Sequence, residues 1–158
     1  MALFRDAGCR PGGAFAPGYL GELELRQGRH VQAAGHFRQS LGLHREAGNC
    51  SGQAAALNGL GEAFLAASQA GQASARHAAA LALALQVGDK HEEARARGGL
   101  ASAYQAIGDS EQARRHWQAL AAIPISALAT GAPAAARRVP VAARRVPVAA
   151  RRACVAKT

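Results

Sequence analysis

The sequence predicts an all-α fold, and three observations support this prediction. Alanine is the best helix former, its small side chain lets helices pack closely, and it supplies 42 of the 158 residues. Almost no segment shows the alternation of apolar and polar residues that a half-buried strand requires. A pattern of leucine, glycine and alanine also recurs with a constant period, which indicates a repeated supersecondary unit.

The repeat becomes visible when the sequence is compared with itself at this period. Residues 18–57 and 58–97 are identical at 11 of 40 positions, and the register continues into a third unit without an insertion. The matched positions carry mainly leucine and small residues. They include Leu20, Leu60 and Leu100, then Ala33, Ala73 and Ala113, and also Gly48 and Gly88.

Each unit is predicted to form two helices. The first helix of the middle unit carries Leu60, Ala63, Phe64 and Ala67 at the spacing of an amphipathic helix. Glycines such as Gly108 can adopt the left-handed backbone conformation that often ends a helix, and a following Asp or Ser can cap the next helix. The predicted helices span residues 17–27, 30–46, 53–67, 71–87, 91–107 and 110–122.

The apolar and small residues of the third unit, Leu100, Tyr104, Gly108, Ala113 and Trp117, resemble the tetratricopeptide repeat (TPR). This resemblance implies a TPR-like α-solenoid of antiparallel helix hairpins, with three 40-residue units over about residues 12–123. The sequence departs from the family pattern at four positions. Ala101 and Ser68 replace glycines, and Glu24 and His77 replace aromatic residues.

Proteins of this family bind protein segments in a concave groove that is lined by the first helices. The resemblance therefore implies a protein-interaction scaffold with a protein or peptide partner in the groove. The candidate groove residues are Glu22, Leu25, Arg26, Asn58, Glu62, Leu65, Arg95, Ser102 and Gln105. A second interpretation, that these are only solvated helix positions, stays open.

The spacing of the units and the string EQARRHW (Glu111 to Trp117) also resemble the C-terminal TPR arrays of large bacterial NTPase and SARP-type transcription regulators. This resemblance implies a sensor or regulatory segment of such a regulator. Two further hypotheses stay open: a free-standing adaptor, and a gene remnant without a function of its own.

Three segments are predicted along the chain. Residues 1–16 form a partial preceding repeat, since residues 3–8 match residues 43–48 at four positions. Residues 17–123 form the TPR-like array, and residues 124–158 form a disordered, basic, low-complexity tail. The chain is therefore expected to be a fragment of a longer array, and its uncapped ends are expected to self-associate.

Charge and chemistry exclude several function classes. Residues 1–130 hold 12 Lys and Arg against 10 Asp and Glu, whereas residues 131–158 hold seven basic and no acidic groups. That tail lacks aromatic residues for base stacking, so nucleic acid is not the expected partner. The six histidines and three cysteines lack metal-ligand spacing and CxxC pairs, so neither a metal site nor a disulfide framework is expected.

No sequence feature indicates catalysis. The Glu92-Glu93 pair opens a predicted helix, where negative charge is favourable without any catalytic role. No phosphate-binding loop or nucleophile motif occurs, so we expect no enzyme activity and no cofactor. The sequence also lacks a signal peptide and an apolar run of membrane-spanning length, so a cytoplasmic protein that does not enter a membrane is expected.

Overall fold

The computed structural model describes residues 10–129 of the chain, with side chains from residue 16 to residue 128. Its helices are α1 (Arg10–Arg26), α2 (His30–Glu46), α3 (Cys50–Ala66), α4 (Ala70–Val87), α5 (Lys90–Ile107), α6 (Ser110–Ala121) and α7 (Ile125–Ala129). Each helix from α1 to α5 packs against the next one along the chain, α3 also contacts both α1 and α5, and α7 contacts α5. Residues 10–129 contain no strand. The predicted all-α solenoid of helix hairpins is confirmed.

The helix bounds follow the 40-residue period. The first helices of the units begin at Arg10, Cys50 and Lys90. The first helix therefore starts at Arg10 rather than at the predicted residue 17, and it continues through Pro17. Residues 1–9 and 130–158 lie outside the described residues, so the partial preceding repeat and the disordered tail stay predictions. Within the described residues, α1 and α7 extend into residues 10–16 and 125–129 of those two segments.

Side-chain caps explain where several helices begin. Asn49 accepts a hydrogen bond from the Gly52 amide at 3.0 Å, which moves the start of α3 ahead of the predicted residue 53. Asp89 caps α5, and Asp109 caps α6 as the sequence predicts. Each cap satisfies an amide that the helix itself leaves unpaired.

Left-handed residues end the helices at matching positions. Gly28 and Gly108 have φ angles of 75° and 92°, and Gly48 and Gly88 follow the same pattern between units. Ser68 occupies the equivalent position in the middle unit with a φ of 60°. A side chain strains this conformation, and glycine avoids the strain.

We expect Ser68→Gly to raise the free energy of unfolding by about 1 kcal/mol, because it relieves the left-handed strain at an exposed residue. Gly108→Ser is the matched change of opposite sign and should destabilise the fold by a similar amount. Urea denaturation of both variants measures the two effects. A destabilised Ser68→Gly chain would contradict this account.

A ring inserted between glycines holds neighbouring units together. Phe37 of α2 lies against Gly21 of its own unit and Gly59 of the next unit. His77 of α4 lies against Gly61 and Gly99 in the same relation. A Cβ on Gly59 would stand closer than 3.0 Å to the Phe37 ring, so only glycine leaves room there. We call each such site a glycine notch: one ring between the glycines of two successive first helices.

The pattern changes at both ends of the described array. Trp117 is the third ring of the series, but Ala101 stands in place of the glycine of its own unit, and Trp117 is 45% exposed. Tyr19 stands one repeat length before Gly59, where the later units have glycine, and it is 65% exposed. The complete notches therefore lie at the two junctions around the middle unit.

We expect Gly99→Ala to lower the free energy of unfolding by about 1–3 kcal/mol, since its Cβ would stand closer than 3.0 Å to the His77 ring. Gly98→Ala is the matched control on the same helix, because its Cβ would meet only Leu120 at an ordinary 3.7 Å. Better helix propensity should make that control neutral or up to about 1 kcal/mol more stable. Thermal or urea unfolding tests both, and equal effects would contradict the notch.

One cysteine departs from the sequence-based expectation. Cys50, the first residue of α3, is disulfide-bonded. The other two cysteines of the chain, Cys9 and Cys154, lie outside the described residues. The cysteine spacing predicted no disulfide framework, and Cys50 departs from that prediction.

Candidate functional site

A pocket of about 250 Å³ lies among the helices α1, α2, α3 and α5. Its lining includes Tyr19 and Glu22 from α1, His44 from α2, and Glu92 and Arg95 from α5. We call it the groove pocket. Each of the three units contributes at least one lining residue, since Ala55 and Ala56 of α3 also line it.

Arg95 is held in place by carboxylates on two helices. Its Nε donates to Glu62 Oε1 at 2.8 Å and its Nη2 donates to Glu62 Oε2 at 3.0 Å. Its Nη1 also lies 3.7 Å from Glu92 Oε2. Burial opposes the charge of Arg95, but the hydrogen bonds and charge of Glu62, with the charges of Glu92 and Glu22, raise the Arg95 pKa above its usual range. The guanidinium is therefore a fixed positive group that bridges α3 and α5.

A buried layer of polar side chains lies beneath this ion pair. The Asn58 amide donates to Glu92 Oε2 at 2.9 Å and to the Glu92 backbone carbonyl at 3.1 Å. Burial raises the pKa of Glu92, although Arg95 and the Asn58 hydrogen bond act in the opposite direction. This layer fixes the carboxylate that lines the pocket.

His77 completes the layer from α4. Its Nδ1 lies 3.0 Å from Asn58 Oδ1, and this oxygen can only accept, so Nδ1 carries the proton. Its Nε2 is buried without a hydrogen-bond partner among the described residues. Burial lowers the His77 pKa to about 4, with the Glu62 and Arg95 charges acting in opposite directions. His77 is therefore neutral at pH 7. Because its ring also fills the notch between Gly61 and Gly99, which is the second notch of the array, His77 connects this notch to the polar layer under the groove pocket.

The predicted groove residues occupy different environments. Glu22, Glu62 and Arg95 lie together at the pocket, and the half-buried Ser102 lies further along α5. Leu25 and Leu65 pack against the hydrophobic core. Arg26 and Gln105 are exposed near the ends of α1 and α5.

Asn58 requires a correction. It is fully buried, so it lies under the groove and cannot present its side chain on the surface. Its amide is already engaged by Glu92 and His77. Asn58 therefore positions the pocket and does not line it.

Sequence reasoning misses most of the lining residues of the site, and three of the missed side chains matter for its chemistry. Tyr19 and Glu92 line the pocket, and His77 supports it from below. The helix dipole alone accounts for the sequence pair Glu92-Glu93, but in the fold Glu92 also faces Asn58, and Glu93 pairs with basic residues of its own helix. The one sequence signal for this layer is that His77 stands where the repeat usually has an aromatic residue. A polar ring at a packing position needs a buried hydrogen-bond partner.

A second concavity of about 480 Å³ lies at the other side of α5, where Gln105 meets Ala113, Arg114 and Trp117 of α6. Trp117 is partly exposed in it. Within residues 10–129, no cluster of three metal-ligating side chains occurs, and no helix is both long and apolar enough to span a membrane.

Comparison with known proteins identifies the fold. No model of a known protein family matches the chain, and no curated protein matches it significantly. Among solved structures, the chain is similar to the TPR domain of FLU from Arabidopsis, with a TM-score of 0.68 and 21% identity. The similarity covers 72% of this chain and 95% of the FLU domain. The chain therefore has the fold of a TPR domain.

The lowered pKa of His77 predicts a pH-dependent stability. His77 must stay neutral in the fold, so its contribution is complete above its unfolded pKa of about 6.5 and is lost as the pH falls through about 4. The loss should reach about 3 kcal/mol across that window. In His77→Phe, which copies the ring of the first notch, this part of the pH dependence should be absent.

Urea denaturation from pH 7 to pH 4 measures the effect in both chains. The variant should be less stable at pH 7, because Asn58 Oδ1 loses its donor. Other groups that titrate in this range are present in both chains, so the difference between the two curves isolates His77. Parallel curves would contradict the assignment.

Proposed function

We propose that this chain is a protein-interaction scaffold that binds an extended segment of a partner protein along the concave side of its TPR-like array. The observation that carries the proposal is the groove pocket, where charged side chains from α1, α3 and α5 converge. The fold supports it, since stacked hairpins present an extended concave surface suited to binding other chains.

The pocket has the properties of a recognition surface. Arg95 is locked by Glu62, and Glu92 is locked by Asn58, so their positions cost little entropy to fix on binding. Tyr19 stands exposed at the rim, and Tyr and Arg are frequent at the energetic centres of interfaces. A partner segment would thus contact the fixed side chains of Arg95 and Glu92 beside the exposed ring of Tyr19.

The test compares captured partners between two variants of the full chain. The groove variant Tyr19→Ala/Glu22→Ala removes pocket residues of α1, and the control variant Gln72→Ala/Arg76→Ala changes exposed residues of the second helix α4. Affinity capture from the source cells with quantitative mass spectrometry should show a partner that binds the natural and control chains. The groove variant should retain roughly a tenth or less of it, a loss typical of one or two interface anchors. A partner retained equally by all three chains would contradict the proposal.

The finer hypotheses stay predictions. The regulatory segment of a bacterial transcription regulator rests on the sequence resemblance alone, and the gene remnant and the cytoplasmic location rest on the sequence as well. Self-association through the ends has one structural observation in its favour, because Trp117 and Ile107 are about half exposed at the end of the array. A scaffold role needs no catalytic group and no cofactor, and we propose none.

A further inference from the structure

The groove pocket carries more negative than positive charge. Glu22 and Glu92 line it and Glu62 stands beside them, whereas Arg95 supplies the only guanidinium among the described lining residues. The His91 imidazole also lines the pocket, with its Nε2 4.0 Å from Glu92 Oε1. Glu62 neutralises Arg95 through two hydrogen bonds. Glu22 forms no salt bridge with a described residue, although its charge acts on Arg95 from a longer distance. A second cation could therefore enter between Glu22 and Glu92 and gain the attraction of both.

The size of the pocket indicates what kind of cation fits. At about 250 Å³ it is smaller than the ~300–1,000 Å³ of most small-molecule sites, so it suits one side chain. A guanidinium can donate to two carboxylates at once and can stack on an aromatic face. Glu22, Glu92 and the rim residue Tyr19 offer these contacts.

The chain carries such groups in its own C-terminal sequence. Between residues 136 and 152 three Arg pairs recur at a constant spacing, and no acidic residue interrupts them. The pairs are Arg137-Arg138, Arg144-Arg145 and Arg151-Arg152. This segment lies beyond the described residues, and its charge is opposite to the excess charge of the pocket.

The last two helices bring the end of the described chain close to α5, which lines one side of the groove pocket. Helix α6 runs back along α5, since His116 stacks on Tyr104 and Leu120 reaches Gly98. Helix α7 follows and also contacts α5. The last described helix therefore lies beside α5, the helix that carries Glu92 and Arg95.

The distance is within reach of the segment. The first Arg pair begins eight residues after Ala129, and eight extended residues span up to roughly 27 Å. Two helix spacings, enough to cross the groove from α5 to α1, amount to about 20 Å. Later pairs have still more chain available.

We propose that the Arg-pair segment, residues 136–152, docks in the groove pocket with one guanidinium between Glu22 and Glu92. The docked segment then competes with the partner of the proposed function, on which this inference rests, and selects partners whose own segment is basic. Because the segment and the pocket belong to one chain, the tail acts at an effective concentration that a free peptide must exceed.

The test uses a full chain in which all six of these arginines are replaced by glutamine, called the tail-neutral chain. The probe is a fluorescent peptide with the sequence of residues 136–145, followed by fluorescence anisotropy. It should bind the tail-neutral chain roughly ten-fold more tightly than the natural chain, where the tethered segment already occupies the pocket. Glu22→Gln in the tail-neutral chain should weaken binding roughly five-fold or more, and the exposed control Glu111→Gln on α6 should not.

Three outcomes would overturn the inference: no binding to the tail-neutral chain, binding that Glu22→Gln does not change, or equal binding to the natural and tail-neutral chains. Equal binding with dependence on Glu22 would mean that the pocket takes basic segments from other chains only. These outcomes leave the proposed function standing if partner capture still depends on Tyr19 and Glu22. If the peptide binds in the pocket but no captured partner depends on Tyr19 and Glu22, the proposed function would be contradicted and the docking of the Arg-pair segment would still be supported.

Discussion

The stacking of this array depends on the close approach of a ring to two glycine backbones at each junction between units. Phe37 and His77 each fill a notch that belongs half to their own unit and half to the next one. Side chains at Gly59 or Gly99 would occupy the space of the ring, so the spacing of first helices follows from the absence of Cβ atoms. Because α1, α3 and α5 are placed this way, the side chains that line the groove meet at fixed distances.

The second notch differs from the first in chemistry, and this difference connects packing to the candidate site. A phenyl ring needs only apolar contacts, but a buried imidazole needs a hydrogen-bond partner. Asn58 is this partner, and its amide also donates a hydrogen bond to Glu92, which lies beside Arg95. The same histidine therefore sets the helix spacing and the position of a pocket carboxylate. Disturbing the core at this junction should also alter the groove.

The repeat allowed the sequence to predict the fold, but the local signals placed some helix ends wrongly. The 40-residue register gave the correct order of helices, while the predicted start of the first helix at residue 17 lies later than the observed start at Arg10. The groove was partly predictable, because Glu22 and Glu62 are equivalent positions on first helices. The burial of Asn58 could not be predicted in this way. The helical period shows which face of a helix a residue occupies, but it does not show which neighbouring helix covers that face. The pair of Arg95 with Glu62 joins two units and depends on the stacking distance itself.

The exposed Tyr19 gives the units a fixed order. It stands where Gly59 and Gly99 receive a ring from the unit before, so the leading unit has no open notch on that side. A tandem copy of the middle unit would bring its own glycine to meet His77 and could be inserted without a clash. A tandem copy of the first unit would press a tyrosine against Phe37. An array of this kind can therefore grow by internal duplication of its middle unit, whereas duplication of its first unit would require a change of Tyr19 to glycine.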